Sequence, residues 1–275
     1  MATIIADISA RERRPDLLSG TPRAHPIDRW IFVFMATWFI AIVLAGFIPD
    51  SLDKVAAVRS GARPPFPVVL HMHAVLMGSF LLLLLAQTWL MATGRRALHM
   101  RLGVLGMAIA AALVVVGLIL VPTNHYMLWD QVRAASGAAR DDLLHAVSIW
   151  ENVMLLQIRI GILFPLFLII GLHARGLNAG LHKRMMILAT AIALPAGIDR
   201  IPWLPATMPV SPLSPDVYTL VAVSPMFVWD VVRNRRVHEA YWIWIGILAP
   251  SAVIVNLLWD KPWWHATARQ ILGVG

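Results

Sequence analysis

The chain contains no cysteine, so disulfides, cysteine-ligated iron–sulfur clusters and thiolate-bound haem are all excluded. Charged residues are also scarce, at 14% of 275 residues, whereas 59% are hydrophobic and the mean hydropathy is +0.72. A soluble domain has too little interior to hide so much apolar surface. The composition therefore indicates a protein that lies mostly in lipid.

The apolar residues are grouped into runs that are long enough to cross a bilayer. A hydrocarbon core of about 30 Å needs about 20 apolar residues in a helix. Seven such spans are predicted, near 29–48, 68–92, 102–122, 144–173, 182–203, 217–232 and 240–259. We expect an all-α, seven-span transmembrane helix bundle over residues 29–260. Residues 1–28 and 261–275 are predicted to be polar tails, and 123–142 a long polar connection.

The basic residues predict the orientation of the bundle. Positively charged side chains favour the cytoplasmic side of a membrane. With the N-terminus inside, 14 of the 23 basic residues lie in inside segments: Arg11, Arg13, Arg14, Arg23, Arg29, Arg95, Arg96, Arg101, Arg175, Lys183, Arg184, Arg233, Arg235 and Arg236. We expect a multi-pass protein of the bacterial inner (cytoplasmic) membrane, with a cytoplasmic N-terminus and a periplasmic C-terminus. The net charge of +8 is then explained by basic residues that set the topology and contact anionic lipid headgroups, not by nucleic-acid binding.

With this topology the histidines divide between the two faces of the membrane. His73 and His145 begin the second and fourth spans at the outer face, while His99 and His182 begin the third and fifth at the inner face. Facing imidazoles on alternate helices are the ligands that two stacked b-type haems need. The simpler alternative is that each histidine lies at an interface, where its amphipathic ring is stable without a ligand.

The same histidines stand in motifs that resemble the cytochrome b561 family. His73-Ala-Val-Leu-Met, Gln87 and Ala97-Leu98-His99 are similar to its second and third helices, with Ala74 at a family proline. Leu143-Leu144-His145 through Trp150 resembles the start of its fourth helix, and Leu181-His182 its fifth. The resemblance covers residues 70–200. It implies a six-helix fold with two haem b groups that carries electrons across the membrane from a reductant such as ascorbate.

That resemblance implies one ligand pair for each haem. His73 with His145 would hold the outer haem, and His99 with His182 the inner one. The segments Gly94–His99 and Leu181–Met185 also resemble a bacterial family of polytopic membrane proteins, a resemblance that implies no activity.

Polar residues inside the spans are further candidates for cofactor binding. His145, Asn152 and Arg159 are spaced by seven residues, so they share a face of the fourth span. Arg159, near the midplane, requires a carboxylate, backbone carbonyls, a haem propionate or a substrate anion. Asn152 and Arg159 are therefore predicted to contact the cofactor, with a structural link between helices as the alternative. Asp199 and Arg200 are expected to pair with each other.

Basic residues flank both inner histidines. Arg95, Arg96 and Arg101 surround His99, and Lys183 and Arg184 follow His182. They would bind haem propionates or an anionic donor. The alternative is that they only contact lipid headgroups and set the topology.

Two other functions remain open. One is a membrane metalloenzyme, with non-haem iron, zinc or copper at an outer site of His71, His73, His125 and His145 with Glu151 or Asp199. The other is a non-catalytic transporter, accessory or assembly subunit of a membrane complex. For the electron carrier, a possible membrane oxidoreductase, we expect lipid and a small-molecule or protein redox partner. Its donor would lie at the cytoplasmic face or in the quinone pool, and its acceptor at the outer face. The sequence predicts no oligomeric state.

Overall fold

The computed structural model describes residues 16–19 and 25–274, and these residues form helices and no strand. The predicted inside residues Arg11, Arg13, Arg14 and Arg23 lie outside the described residues. A 3₁₀ turn at Leu17–Ser19 precedes α1 (Pro26–Arg59), α2 (Val68–Ala92), α3 (Arg96–Ala134), α4 (Gly137–Ala174), α5 (Ala179–Ala191), α6 (Pro195–Ile198), α7 (Leu213–Asn234), α8 (Glu239–Leu258) and α9 (Pro262–Leu272).

The predicted all-α bundle is confirmed. Within the described residues, seven helices are long and apolar enough to cross a membrane, with α5 and α6 together forming one of them, Ala179–Ile198. This fifth span is the central one, since Ile187, Leu188 and Ala189 are fully buried. By contrast, α2 and α3 leave most of their apolar residues uncovered by protein, as helices that face lipid do.

The predicted polar connection at 123–142 is wrong. Helix α3 continues to Ala134 and α4 begins at Gly137, so only Ala135 and Ser136 separate them. Residues 123–142 interrupt the apolar run with polar side chains, but the alanines around the turn favour helix outside an apolar run as well. The two helices therefore form a long hairpin that extends past the ends of their neighbours. We call this end of the bundle the outer end and the opposite one the inner end, after the orientation that the sequence predicts.

The first and fifth spans approach closely through glycine. A Cβ atom placed on Gly46 of α1 would lie 2.0 Å from the carbonyl oxygen of Gly197, just before the end of α6. No side chain fits there, because real Cβ contacts do not fall below 3.0 Å. The small residues bring the outer ends of these two spans into backbone contact, as small residues do in membrane helix pairs.

The residues predicted as a periplasmic tail form a packed helix. Helix α9 places Trp264, Ala268 and Leu272 against the outer part of α4, in a second apolar cluster separate from the main core. Tyr126 of α3 donates a hydrogen bond of 2.8 Å to the Leu272 carbonyl oxygen. The outer end of the molecule is therefore a small folded unit built on the α3–α4 hairpin.

Candidate functional site

The structure brings together the two histidines that the sequence pairs at the inner face. His99 lies in the first turn of α3 and His182 in the first turn of α5. Their ring centroids are 6.4 Å apart, and the ring planes are nearly perpendicular, at 83°. Both side chains are partly buried, on helices that are not chain neighbours. The two imidazoles therefore face one another across the bundle.

Backbone carbonyls orient both rings. The Nδ1 atom of His182 lies 2.7 Å from the Gly171 carbonyl oxygen, and that of His99 lies 3.4 Å from the Gln87 carbonyl oxygen. A carbonyl oxygen only accepts hydrogen bonds, so each Nδ1 carries the proton and each Nε2 keeps its lone pair. Among the described residues neither Nε2 has a hydrogen-bond partner. Metal-binding histidines have this arrangement, in which a carbonyl holds the ring nitrogen that does not bind the metal.

The separation of the rings also fits a shared metal ion. Two imidazole nitrogens on opposite sides of one ion, each about 2.0–2.1 Å from it, place the ring centres about 6 Å apart. Two neutral imidazoles are the axial ligands of a bis-histidine b-type haem. Exposed Arg96 and Arg175 lie close enough to His99 and His182, respectively, to interact with them electrostatically. The donor set and its surroundings therefore fit the haem that the sequence predicts here.

The predicted outer pair is not assembled. Phe80 of α2 contacts Phe164 of α4, with ring centroids 5.4 Å apart, and these two helices run in the same direction. His73 precedes Phe80 by seven residues, but His145 precedes Phe164 by nineteen. The difference of twelve residues places His145 about 18 Å further out along the helix axis than His73. This corrects the pairing, since His145 is exposed on the hairpin beyond the bundle.

The alternative outer metal site is not assembled either. Both ring nitrogens of buried His125 contact carbonyl oxygens, of Val121 at 2.9 Å and of Trp150 at 3.3 Å. His71 is exposed and its ring lies against Phe66. In the part of the chain that the structure describes, no group of three or more His, Cys, Asp or Glu side chains is placed to hold a metal ion.

Comparisons with protein-family models, with curated proteins and with solved structures found no match for this chain. The resemblance to the cytochrome b561 family therefore stays a prediction from the sequence motifs. The facing of His99 and His182 is an observation of this chain alone. Any function assigned to it depends on their geometry and on the residues around them.

The polar residues of α4 that the sequence assigns to cofactor binding have protein partners. Arg159 forms a two-point ion pair with Asp216 at the outer end of α7, through Nη1 at 3.1 Å and through Nη2. Asn152 accepts a hydrogen bond of 2.9 Å from the backbone N–H of Asp260. The structural alternative considered for this face is therefore observed, and a carboxylate satisfies the buried guanidinium without a bound anion.

Glu151 also has a partner that the sequence analysis missed. Its fully buried carboxylate contacts His265 Nδ1 at 2.8 Å and Arg269 Nε at 2.7 Å, both on α9. These two residues are four apart, so they lie on one face of a helix beside Trp264. That spacing, next to the apolar residues Trp264, Ala268 and Leu272 on the same helix, was the available signal for a docked helix.

Arg200 pairs with Asp50 of α1, Nε to Oδ2 at 3.3 Å, so the expected Asp199–Arg200 pair is wrong.

At the inner face, Arg184 is fully buried between Asp230 of α7 and Asp16. The carboxylate oxygens of Asp16 lie 2.9 and 3.0 Å from the terminal nitrogens of Arg184. Lys183 lies 3.7 Å from the same Asp16. Of the predicted propionate-binding cations, Lys183 and Arg184 therefore bind the protein, while Arg95, Arg96 and Arg101 are exposed.

Proposed function

We propose that the protein is a membrane electron carrier in which His99 and His182 hold a b-type haem. The observation that supports this is the facing of two imidazoles, each with Nδ1 on a backbone carbonyl and Nε2 free, at a ring separation of 6.4 Å. A haem with two imidazole ligands takes up and releases one electron without an open coordination position.

The surrounding residues have separate roles in this proposal. Gly171 and Gln87 orient the rings through their carbonyl oxygens, which would keep both histidines directed towards a bound iron. Arg96 and Arg175 would neutralise the propionates of a bound haem. The donor would be a small molecule or protein at the cytoplasmic face or in the quinone pool, and the acceptor would lie at the outer face.

The orientation is part of the same proposal. Arg95, Arg96, Arg175, Arg235 and Arg236 lie at the end of the bundle that carries the α2–α3, α4–α5 and α7–α8 connections. The positive-inside rule assigns this end to the cytoplasm, and α9 to the periplasm of a bacterial inner membrane. A reporter that is active only in the periplasm should therefore work when fused after Gly275, and activity after fusion to the N-terminus instead would reverse the assignment.

The test is the haem content of single-histidine variants purified in detergent. His99→Ala and His182→Ala should each lose the low-spin haem that these residues bind. His173→Ala is the matched control. His173 is an exposed histidine in the last turn of α4, at the same end of the bundle as His99 and His182, so its replacement should leave the spectrum unchanged. Circular dichroism on each variant checks that the helices remain folded.

Three other outcomes would contradict the proposal. If His99→Ala and His182→Ala both bind haem fully, these histidines are not its ligands. A folded wild-type protein with bound iron, zinc or copper but no haem would favour a non-haem metalloprotein. A protein with neither metal nor haem would favour an accessory or assembly subunit.

A further inference from the structure

A short stretch before α1 packs against the inner end of the bundle. Residues 16–19 belong to the segment that the sequence predicts as a polar tail, but Leu18 is only 4% exposed and lies in the main hydrophobic core. The Leu17 N–H donates a hydrogen bond of 3.0 Å to the side chain of Asn234 at the end of α7. These four residues, which we call the N-terminal strap, are therefore part of the folded bundle.

The main contact of the N-terminal strap is with the start of α5. Asp16 accepts hydrogen bonds from both terminal nitrogens of Arg184, at 2.9 and 3.0 Å. Lys183 Nζ donates a hydrogen bond to the Leu18 carbonyl oxygen. On its other side Arg184 is bound by Asp230 of α7, through Nε and Nη2. A planar guanidinium that two carboxylates each hold at two points has a fixed orientation. These contacts therefore limit the rotation of α5 about its own axis.

The strap reaches Arg184 across Gly180 of α5. A Cβ atom placed on Gly180 would lie 2.8 Å from Asp16 Oδ2, and real Cβ contacts do not fall below 3.0 Å. It would also lie 3.0 Å from His238 Nε2 and 3.2 Å from Arg184 Nη1. The glycine therefore leaves the space in which the Asp16 carboxylate binds the guanidinium one turn further along the helix.

The same part of α5 carries His182, the proposed haem ligand. Residues 182 and 184 are two apart, so their side chains point about 200° apart around the helix. Arg184 points towards the strap and α7. His182 points towards α4 and α3, where it contacts the Gly171 carbonyl oxygen and faces His99. A rotation of α5 that moves Arg184 away from the strap therefore also moves the imidazole of His182 out of line with that of His99.

We propose that the N-terminal strap holds His182 in position for the haem iron, with Asp16 as a positioning residue that acts through Arg184. The inference rests on the proposed haem function of the His99–His182 pair. Ligands need a supporting shell of contacts that fixes their geometry. With the strap in place, both axial positions of the iron stay filled. Without the Asp16 contact, His182 leaves the iron more often and opens a coordination position.

The experiment measures how fast carbon monoxide binds to the reduced full-length protein in detergent. Carbon monoxide enters a bis-imidazole haem only when one imidazole leaves the iron. Asp16→Ala keeps both histidines and leaves Arg184 paired with Asp230, so its haem content should equal that of the wild type. We expect carbon monoxide to bind about tenfold faster in this variant, because a hydrogen bond between charged groups is lost.

Gly180→Ala tests the same contact without removing a charge. The added methyl group should displace the Asp16 carboxylate, whereas alanine favours the helix more than glycine does. Loss of α5 would therefore not explain faster binding of carbon monoxide. We expect an increase similar to that in Asp16→Ala. The double variant should be no faster than the faster single variant, because both changes remove one shared contact.

Asp28→Asn is the matched control. Asp28 is a fully buried carboxylate at the same end of the bundle, and its partners are Trp229 and Arg233 of α7. This variant should bind carbon monoxide at the wild-type rate, even if its melting temperature falls.

Two results would overturn the proposal. One is carbon monoxide binding at the wild-type rate in both Asp16→Ala and Gly180→Ala. The other is an equal acceleration in Asp28→Asn, which would show a general loosening of the inner end. A wild-type protein without haem would instead refute the proposed function of the His99–His182 pair, and this inference with it.

Discussion

Single buried charges in this bundle are neutralised by opposite charges on helices far away in the sequence. Arg159 of α4 pairs with Asp216, and Arg184 of α5 pairs with Asp230, both on α7. Removing ions from water costs several kcal/mol each, and the attraction between partners offsets this cost only while both are present. The pairs therefore make the bundle intolerant of single changes at these positions.

We predict that Arg159→Leu destabilises the protein by about 3–5 kcal/mol, because it leaves Asp216 charged and unpaired in a mostly buried position. The double variant Arg159→Leu, Asp216→Leu should recover much of this loss. Thermal unfolding followed by circular dichroism in detergent measures both. Arg133→Ala is the control, since its pair with Asp130 is 60% and 71% exposed and should contribute less than about 1 kcal/mol.

An additive double variant, as destabilised as the two single changes combined, would contradict the ion-pair account. The sequence showed that Arg159 needed a partner, because a guanidinium inside a span is costly. It did not identify Asp216, which is 57 residues away at the start of another helix. Such a partner becomes evident only when the helices are packed.

His238 gives the inner end of the molecule a dependence on pH. Burial, and then the charge of Arg184, lower the pKa of His238 from 6.5 to about 4, with Asp16, Asp230 and Arg236 also acting on it. The unfolded chain therefore binds this proton more readily than the folded protein does. The stability that the neutral His238 contributes to the folded protein is complete above pH 6.5. It is lost between pH 6.5 and 4, by at most about 1.4 kcal/mol per pH unit.

We expect His238→Asn to flatten this dependence. Asparagine can still cap the N-terminus of α8, where His238 Nδ1 now accepts a hydrogen bond from the Ala240 N–H, but it does not titrate. The difference in melting temperature between wild type and variant, measured from pH 8 to 4, isolates the histidine from the carboxylates. A difference that stays constant over that range would contradict the role of His238.

At the scale of elements, helix α9 depends on one buried carboxylate for its attachment to α4. Glu151 contacts His265 and Arg269, and Trp264 donates a hydrogen bond of 2.8 Å to the Glu151 carbonyl oxygen. Hydrogen bonds to a charged group contribute about 1.5–3 kcal/mol. The helix is thereby held to the hairpin at the outer end of the bundle.

We predict that Glu151→Gln opens α9 at least tenfold more often, because a neutral amide weakens both contacts. Limited proteolysis with trypsin should cut after Arg269 correspondingly faster. Asp142→Asn is the matched control, because it removes a carboxylate charge at an exposed position of α4, the helix that carries Glu151. This variant should be cut at the wild-type rate. Equal rates for all three proteins would show that Glu151 does not hold the helix.

The spans were predictable and the helices beyond them were not. Long apolar runs identified all seven spans, and the limits of α2 agree with the predicted 68–92. Hydropathy does not detect a helix beyond its apolar run. The polar parts of α3 and α4 were therefore assigned to a connection and α9 to a tail. Helical propensity and one-face patterns are weaker signals than an apolar run.

At the scale of the whole molecule, the helices that continue beyond their apolar runs decided which histidine pairs were predicted correctly. The inner connections are short, so the starts of α3 and α5 are level and His99 meets His182. The outer connection is a long helical hairpin, so the start of α4 is far from the start of α2 and His145 does not meet His73. A pairing based on the starts of spans holds only where the helices end at the membrane.

The most direct measurement is a reduced-minus-oxidised visible spectrum of the purified full-length protein, with the haem quantified per chain. The structure of the His99–His182 pair predicts the narrow α band of a bis-imidazole b haem, with at least one haem per chain. A protein that is folded, purified from cells supplied with haem, and featureless in this spectrum would contradict the assignment of these two histidines.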